Sequence, residues 1–385
     1  MATATGSDGD IADAMAERVR TAFADKTPLV VRGADSKRAL GHDPVGETLS
    51  TIEHRGIVNH EPTELVLTAR AGTPIATLNA ALAASRQMMP FEPPDGGGTL
   101  GGVIACGLSG PRRPYAGAAR DYVLGTRVIS GRGEILGFGG EVMKNVAGYD
   151  VSRVQTGAFG TLGVLLDVSM KVLPMHELEI TLHHALDTAG QAGSGEGVGA
   201  GGAADGAGLG PAGSLVALAR RPWPLTASAI VGTDRYIRLG GSAVAVEAAA
   251  RELGGERVND DAAPWEAIRE RTHPFFDGER PLWRIAVPDH AAAIDLDGDW
   301  LLDWGGAQRW LRSEAAPAAV FAAAAKAGGH ATRYRRVIGA GEIEAVDGPL
   351  FQPLVGPLQR LSSRLRDSFD PHRVLNRGRY HPELD

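Results

Sequence analysis

The chain has a single cysteine, Cys106, in 385 residues. One thiol excludes a disulfide within the chain, and it also excludes a metal or iron–sulfur cluster held by several thiolates. A reducing compartment, the cytoplasm, is the simplest setting. The chain also lacks a basic block. Its net charge is −7 with acids and bases interspersed, so nothing is laid out to neutralise a phosphate backbone, and nucleic acid is not expected as a partner. No run approaches the length of an apolar membrane span, so no transmembrane helix is expected. The opening MATATGSDGDIADAMAERVR places acids before its first base, Arg18, and has no apolar core, so no signal peptide is expected. Peripheral attachment to the inner face of the plasma membrane through a partner stays open. A His-x-x-His-type grouping near an acid is missing as well, so no metal site is expected.

What the chain does have is glycine. Pro93–Pro114, PPDGGGTLGGVIACGLSGPRRP, carries seven glycines in 22 residues, yet Leu100, Val103, Ile104 and Leu108 give it an apolar skeleton. Glycine lets backbone N–H groups approach a ligand closely, and a phosphate or pyrophosphate suits such a loop. A Gly-rich crossing with no ligand is the alternative. Two further stretches are of the same kind. Pro28–Val31 predicts a short strand that opens into the turn Arg32–Lys37 and closes at Gly41. Gly157–Gly163, GAFGTLG, follows a predicted helix over 141–156 and precedes the predicted strand VLLDVSMKVLP. The order helix, loop, strand is the reverse of the dinucleotide fingerprint, and no Gly-Lys-Ser/Thr is present, so neither a Rossmann nor a P-loop fold is expected.

Around these loops the pattern is regular. Residues 10–25 predict an amphipathic helix through Ile11, Met15, Val19 and Phe23. Residues 64–70 predict a strand. Thr73 then predicts a cap, with Pro74 at the first position of a helix bearing Ile75, Leu78 and Leu82. DYVLGTRVIS and EILGFGG, joined through Gly131-Arg132-Gly133, predict a hairpin. Residues 189–214 hold almost no large apolar group and predict a flexible insertion. From Leu215 to about Arg336 strand-like and helix-like pieces alternate, and this segment holds all six tryptophans, which read as core and rim residues. Leu354, Leu358, Leu361 and Leu365 predict a packed helix that stops near Asp370-Pro371.

VVRGADSKRALG, PPDGGGTLGGVIACG and GYDVSRVQTGAFGTLGVLLDVSMKVLP together resemble the FAD-binding domain of the vanillyl-alcohol-oxidase/PCMH-type family. ACGLSGPRRP, DYVLGTRVI, FGGEVMKNVAGYD, FFDGERPLWRI, DWGGAQRWL and AGGHATRY narrow the resemblance to the FAD-binding subunits of bacterial glycolate oxidases. It covers nearly the whole chain. It implies an α+β fold: a PCMH-type FAD-binding domain of two α/β subdomains over 1–174, an α+β cap domain over 175–340 containing the insertion, and a C-terminal helix and tail over 341–385 packing back on the FAD domain.

The resemblance also implies site residues. The pyrophosphate turn falls on Arg32, Gly33, Ala34, Asp35, Ser36, Lys37 and Gly41. The family's turn is richer in glycine, and Asp35 brings a negative charge there, which either points away or meets Lys37. The second loop falls on Pro94, Asp95, Thr99, Leu100, Gly101, Gly102 and Ala105. The third falls on Gly157, Gly160, Thr161, Gly163 and Val164. The family's closing Asn-Pro-Gly reads Asn376-Arg377-Gly378. Since no histidine occupies the turn, and Cys106 reads as a small buried hydrophobe, FAD is expected to be non-covalent.

Beyond the flavin, chemistry is sparse. Arg112-Arg113 offers guanidinium forks for the carboxylate of a 2-hydroxy acid, or else a surface pair meeting an acid or a partner. Lys144-Asn145 offers groups toward the flavin or to solvent. His330 offers a cap-domain base, and His183-His184 reads as structural. The resemblance therefore implies a subunit of an oxidase turning glycolate into glyoxylate, whose partners are a larger FAD subunit and a separate iron–sulfur subunit that takes the electrons. The alternatives are a self-sufficient FAD-dependent D-2-hydroxy-acid dehydrogenase and a structural subunit with a weak FAD site.

Overall fold

Val164–Lys171 is the middle strand of a five-stranded antiparallel sheet, in the spatial order 57–61, 66–70, 164–171, 123–129, 135–139. Seven of its eight residues are buried. Such a strand needs a cover on both faces, and both are supplied. Helix Ile75–Ala84 lays Ile75, Leu78 and Leu82 on one face together with Leu100, Val103 and Ile104, against Leu67, Val128, Val168 and Met170. Helix Ala12–Asp25 covers the other, with Met15, Val19 and Ala22 against Ile129, Val164 and Leu166. Each fully buried leucine or isoleucine here contributes about 1.5–3 kcal/mol of hydrophobic stabilisation. The hairpin 123–139 turns where expected, with Ser130 and Glu134 closing it.

The computed structural model describes residues 9–140, 150–186, 210–338 and 342–385. They fall into two compact units: 9–110, 117–175 and 353–385 in the first, 111–116 and 176–352 in the second. These bounds differ from the expected 1–174, 175–340 and 341–385 at 111–116 and at 341–352.

In the first unit, strand Leu29–Arg32 pairs in parallel with Glu47–Ser50. Its other edge meets the C-terminal tail, where Leu29 N–H donates to Val374 O and Asn376 N–H donates to Leu29 O. The tail is thereby carried beside the first turn, more than 300 residues away in sequence.

The second unit is built on an eight-stranded sheet, antiparallel throughout, in the order 256–257, 178–185, 234–241, 225–231, 299–303, 308–312, 282–286, 330–334. Helices Ala212–Ala219 and Ala243–Leu253 pack on one face through Leu215, Leu218 and Val246 against Ile237 and Leu239. Helix Pro317–Lys326 continues that layer through Val320 and Phe321 against Trp283, Ile285 and Leu311. Mixed helix and strand content of this kind is the α+β fold.

Three expectations need correction, and a fourth lies mostly outside the described residues. Thr73 does not cap its helix. Its hydroxyl bonds Gly56 N–H at 2.9 Å and Gly56 O at 3.1 Å, and Pro74 takes the N-cap position without a side-chain bond. The insertion does not reach residue 214: helix Ala212–Ala219 begins inside it, because Ala212, Gly213 and Leu215 find apolar cover. The rest, 189–209, lies outside the described residues. The predicted helix over 141–156 is described only from residue 150, with Asp150 capping Val151–Val154; Lys144 and Asn145 lie outside. Last, the leucine stripe of helix Pro357–Phe369 is not its packed face. Leu358 and Leu361 are 59% and 64% exposed. The buried residue is Arg366, which donates to Leu375 O at 3.3 Å and pairs with Asp385. Binding the tail, rather than packing leucines, sets that helix's orientation.

Candidate functional site

The three Gly-bearing loops meet around one open cleft of about 870 Å³ in the first unit, within the size range of cofactor sites. The first turn leaves the end of strand Leu29–Arg32 and supplies Arg32, Gly33, Ala34, Asp35, Ser36 and Lys37 to the lining. Asp35 sits in the left-handed region at φ 57. Its carboxylate meets Arg32, with Oδ2 3.4 Å from Nη1, and not Lys37 as one expectation had it. Lys37 Nζ donates to Ser36 Oγ at 3.1 Å.

The second loop ends in a short helix, Leu100–Cys106, capped by Thr99, whose Oγ1 accepts from Gly102 N–H. Helical phase then sorts its residues. Leu100, Val103 and Ile104 turn into the core, while Gly101, Gly102, Ala105 and Cys106 line the cleft. Leu100 is thus a core residue and no part of the lining. Cys106 is half-buried at the cleft wall, a correction to its reading as a buried hydrophobe.

The glycines are where the loops touch. A Cβ on Gly33 would lie 2.6 Å from Thr99 Oγ1, and one on Gly98 would lie 3.0 Å from Lys37 Nζ. Turn and second loop therefore fit only as glycine there. Gly160, at φ +69, stands so that a Cβ would lie 2.6 Å from Asn376 Nδ2.

Asn376 ties the site together. It is 5% exposed. Its Oδ1 accepts from Val31 N–H at 2.7 Å and its Nδ2 donates to Phe159 O at 2.7 Å. One amide thus joins the first strand to the third loop, using acceptor and donor at once. Arg377, where the family has proline, donates to the carbonyls of Arg373 and His372 and leaves this arrangement in place.

Of the expected residues, Thr99, Gly101, Gly102, Ala105, Gly160, Gly163 and Asn376 also line the cleft. Gly41, Pro94, Asp95, Gly157, Thr161 and Val164 do not. Val164 is in the core, the Thr161 hydroxyl donates to Ala158 O, and Gly157 is set against Gly107. Lining residues that sequence reasoning missed include Phe159, Arg38, Asp43 and Arg379. Phe159 lay inside the third loop but was not among the residues assigned from it. Arg379 donates to Lys37 O and His42 O, both at 2.9 Å, and so clamps the first turn; nothing in the tail's sequence signals this. Four bases, Arg32, Lys37, Arg38 and Arg379, face two acids, Asp35 and Asp43, in the lining. The excess of two positive charges suits a pyrophosphate.

The other candidates lie in the second unit. Arg112 is buried and forks onto Glu179 at 2.9 and 3.2 Å, with His176 at 3.1 Å, so it is a structural ion pair. Arg113 stacks over Trp304 at 4.3 Å. The neighbouring Tyr115 hydroxyl shares a hydrogen bond with Ser228 at 2.7 Å, and burial raises its pKa to about 12, which keeps it protonated. His330 opens the last strand of the sheet. Crowding by neighbouring atoms, then the Arg284 and Arg113 guanidiniums, hold its pKa below the usual value. His183 pairs with Asp234 at 2.7 Å.

Against known proteins, a family model described as an FAD binding domain matches residues 11–139. The chain is 45% identical over 378 residues to the glycolate oxidase subunit GlcE of Escherichia coli (strain K12), covering 97% of this chain and 99% of that one. The chain belongs to the GlcE family. More distant is the glycolate oxidase subunit GlcD of Bacillus subtilis (strain 168), 33% identical over 175 residues, 43% of this chain and 37% of that one. A D-lactate dehydrogenase of Anaerostipes hadrus is 27% identical over 159 residues, 41% of this chain and 34% of that one. Among solved structures, an alkyldihydroxyacetonephosphate synthase superposes with a TM-score of 0.61 at 12% identity, covering 94% of this chain and 75% of that one, a likeness of fold.

Proposed function

We propose that this GlcE-family chain is the FAD-binding subunit of a multi-subunit glycolate oxidase, which converts glycolate to glyoxylate. The observation that carries the reading is the end-to-end similarity to a glycolate oxidase subunit. The cofactor is held non-covalently in the first-unit cleft. The donors there fit it: backbone N–H groups of the glycine-bearing turn and loop, the Ser36 hydroxyl, and a net positive lining suited to two phosphate charges. Bound FAD supplies the two-electron oxidation; the chain's own residues bind, position and shield it. Gly101, Gly102 and Ala105 keep one wall low, Phe159 and Asn376 form another, and Arg379 sets the turn.

With one cysteine in the whole chain, an iron–sulfur cluster must sit on a separate partner subunit that takes the electrons onward. Among the described residues no helix is long and apolar enough to cross a membrane; in this reading membrane attachment is peripheral, through the partners.

The purified chain should show flavin absorbance at about 375 and 450 nm, values typical of the cofactor. Anaerobic glycolate should bleach it only once the partner subunits are added. Bleaching of the lone chain would favour the self-sufficient dehydrogenase. Absence of flavin even after reconstitution would leave only the structural subunit.

A further inference from the structure

The tail that pairs with strand Leu29–Arg32 makes further ties past Asn376. Arg377 O accepts from Val45 N–H at 3.0 Å, and Arg379 O accepts from His42 N–H at 3.1 Å. The Arg379 guanidinium holds the carbonyls of Lys37 and His42. The next side chain, Tyr380, goes to the third loop instead. Its ring stacks on Phe159, with centres 4.8 Å apart and planes 18° from parallel. Consecutive residues of the tail thus hold the first turn and the third loop, the two stretches that Asn376 also joins.

Phe159 is a costly residue for its place. It stands at φ 55, in the left-handed region, between Gly157 at φ 85 and Gly160 at φ 69. That conformation is free of strain for glycine and strained for a bulky side chain. The Phe159 backbone is pinned at both ends. Its N–H donates to Ala105 O at 2.8 Å, and its carbonyl accepts from Asn376 Nδ2 at 2.7 Å. Neither bond needs a side chain, so glycine would make both without strain. A bulky ring kept in a strained position points to a use for the ring itself. Among the residues lining the cleft, Phe159 is the one aromatic.

We propose that Tyr380 is a positioning residue for the cofactor, acting through Phe159. Tyr380 does not line the cleft. By stacking on Phe159 it gives that ring one position, so the aromatic part of the wall is ordered before a ligand enters. Binding to an ordered wall avoids the entropy cost of immobilising the ring during association. The stack depends on the ring of Tyr380 and not on its hydroxyl. That the ligand is FAD rests on the cofactor reading given above; that Tyr380 fixes Phe159 does not.

The test is fluorescence titration of the flavin-stripped full chain with FAD, in wild type, Tyr380→Leu, Phe159→Leu, the double variant and Tyr380→Phe. Tyr380→Leu should weaken FAD about three- to tenfold, the effect of leaving one wall side chain to be ordered on binding. Phe159→Leu should weaken it at least as much. The double variant should be no weaker than Phe159→Leu alone, because Tyr380 acts through that ring. Tyr380→Phe should keep wild-type affinity. Circular dichroism should show all five chains folded. Wild-type affinity in folded Tyr380→Leu would overturn the proposal, and so would wild-type affinity in Phe159→Leu, which decides the matter even if Tyr380→Leu fails to fold. Losses that add in the double variant would show a tail contact unrelated to Phe159 and would also overturn it. A loss in Tyr380→Phe equal to that in Tyr380→Leu would assign the effect to the hydroxyl and overturn the stacking role. Absence of FAD binding by folded wild type would overturn the cofactor reading itself, whereas binding by wild type with unaffected variants would overturn the role of Tyr380 alone.

Discussion

The cleft of the first unit and the sheet face around Arg284 in the second are both basic, and they treat their charges in different ways. In the cleft the framework is closed before any ligand arrives. Asn376 spends both ends of its amide, Arg379 holds two carbonyls, and Asp35 is met by Arg32. On the sheet face Arg284 has only a tyrosine hydroxyl at 3.5 Å and Trp310 has no acceptor. A framework satisfied internally can bind through its backbone at fixed geometry. A guanidinium laid on an aromatic ring, as Arg284 is on Tyr334, is held by packing and charge–quadrupole attraction instead. Arg112 makes the contrast sharp: in the same unit as Arg284, its guanidinium is forked onto Glu179 and buried.

The largest effect is expected at Asn376. Asn376→Ala strands the Val31 N–H and the Phe159 carbonyl, and at about 1–3 kcal/mol for each buried unsatisfied group the first unit should lose about 2–6 kcal/mol in denaturant unfolding, together with its flavin. Next comes Arg112→Met. It takes the fork from Glu179, which keeps Arg238 at 3.6 Å and is partly exposed, and should cost about 1–2 kcal/mol, below the range for a fully buried pair broken from one side, whereas Arg284→Gln should leave stability nearly unchanged. All six tryptophans belong to the second unit, so tryptophan fluorescence reports this difference directly. If both substitutions destabilise equally, the contrast between the two arginines fails.

Gly102→Val probes the cleft without touching the framework, since a Cβ there has no neighbour closer than 3.4 Å. It should lower FAD affinity by about tenfold or more, by obstructing close approach, with the melting temperature kept. Gly101→Val and Gly160→Val should also lose FAD, but through the fold, because their Cβ atoms would collide with Ala71 and Asn376.

A pH effect should follow in the second unit. Burial, then the Arg235 and His183 charges, hold His184 down to about 4. A depressed histidine favours the neutral form in the folded state. Its stabilisation is present above the unfolded value near 6.5 and is lost as pH falls from there toward about 4. His176, His273 and His330 are depressed as well and act in the same direction. The urea midpoint followed by tryptophan fluorescence should fall across that window, and His184→Gln should flatten part of the fall. The smallest effect belongs to Asp35→Gly. It removes a left-handed non-glycine residue and a negative charge from the cleft, and should raise FAD affinity by about two- to fivefold; a loss of affinity would show that the Arg32–Asp35 pair shapes the turn.

Much was legible in the residues alone because it is local. The hairpin over 121–139, the helices at 12–25 and 75–84, and the three Gly-bearing loops each follow from periodicity and backbone freedom within a short window. One cysteine settled by itself that this chain carries no cysteine-ligated cluster. The tertiary structure decided what depends on distance and phase. Leu100 was read with the loop, but the helical turn beginning at Leu100 sends its side chain to the core and opens Gly102 to the cleft. Leu358 and Leu361 have the spacing of a packed stripe, yet the helix turns Arg366 inward because a buried guanidinium there holds the tail. Asn376 and Arg379 reach the first turn only through strand pairing more than 300 residues on. Arg112 and Arg113 are adjacent in sequence and differ in fate because one finds a carboxylate and the other an indole face. The local pattern says which backbone can come close to a ligand; only the fold says which side chains are already spoken for.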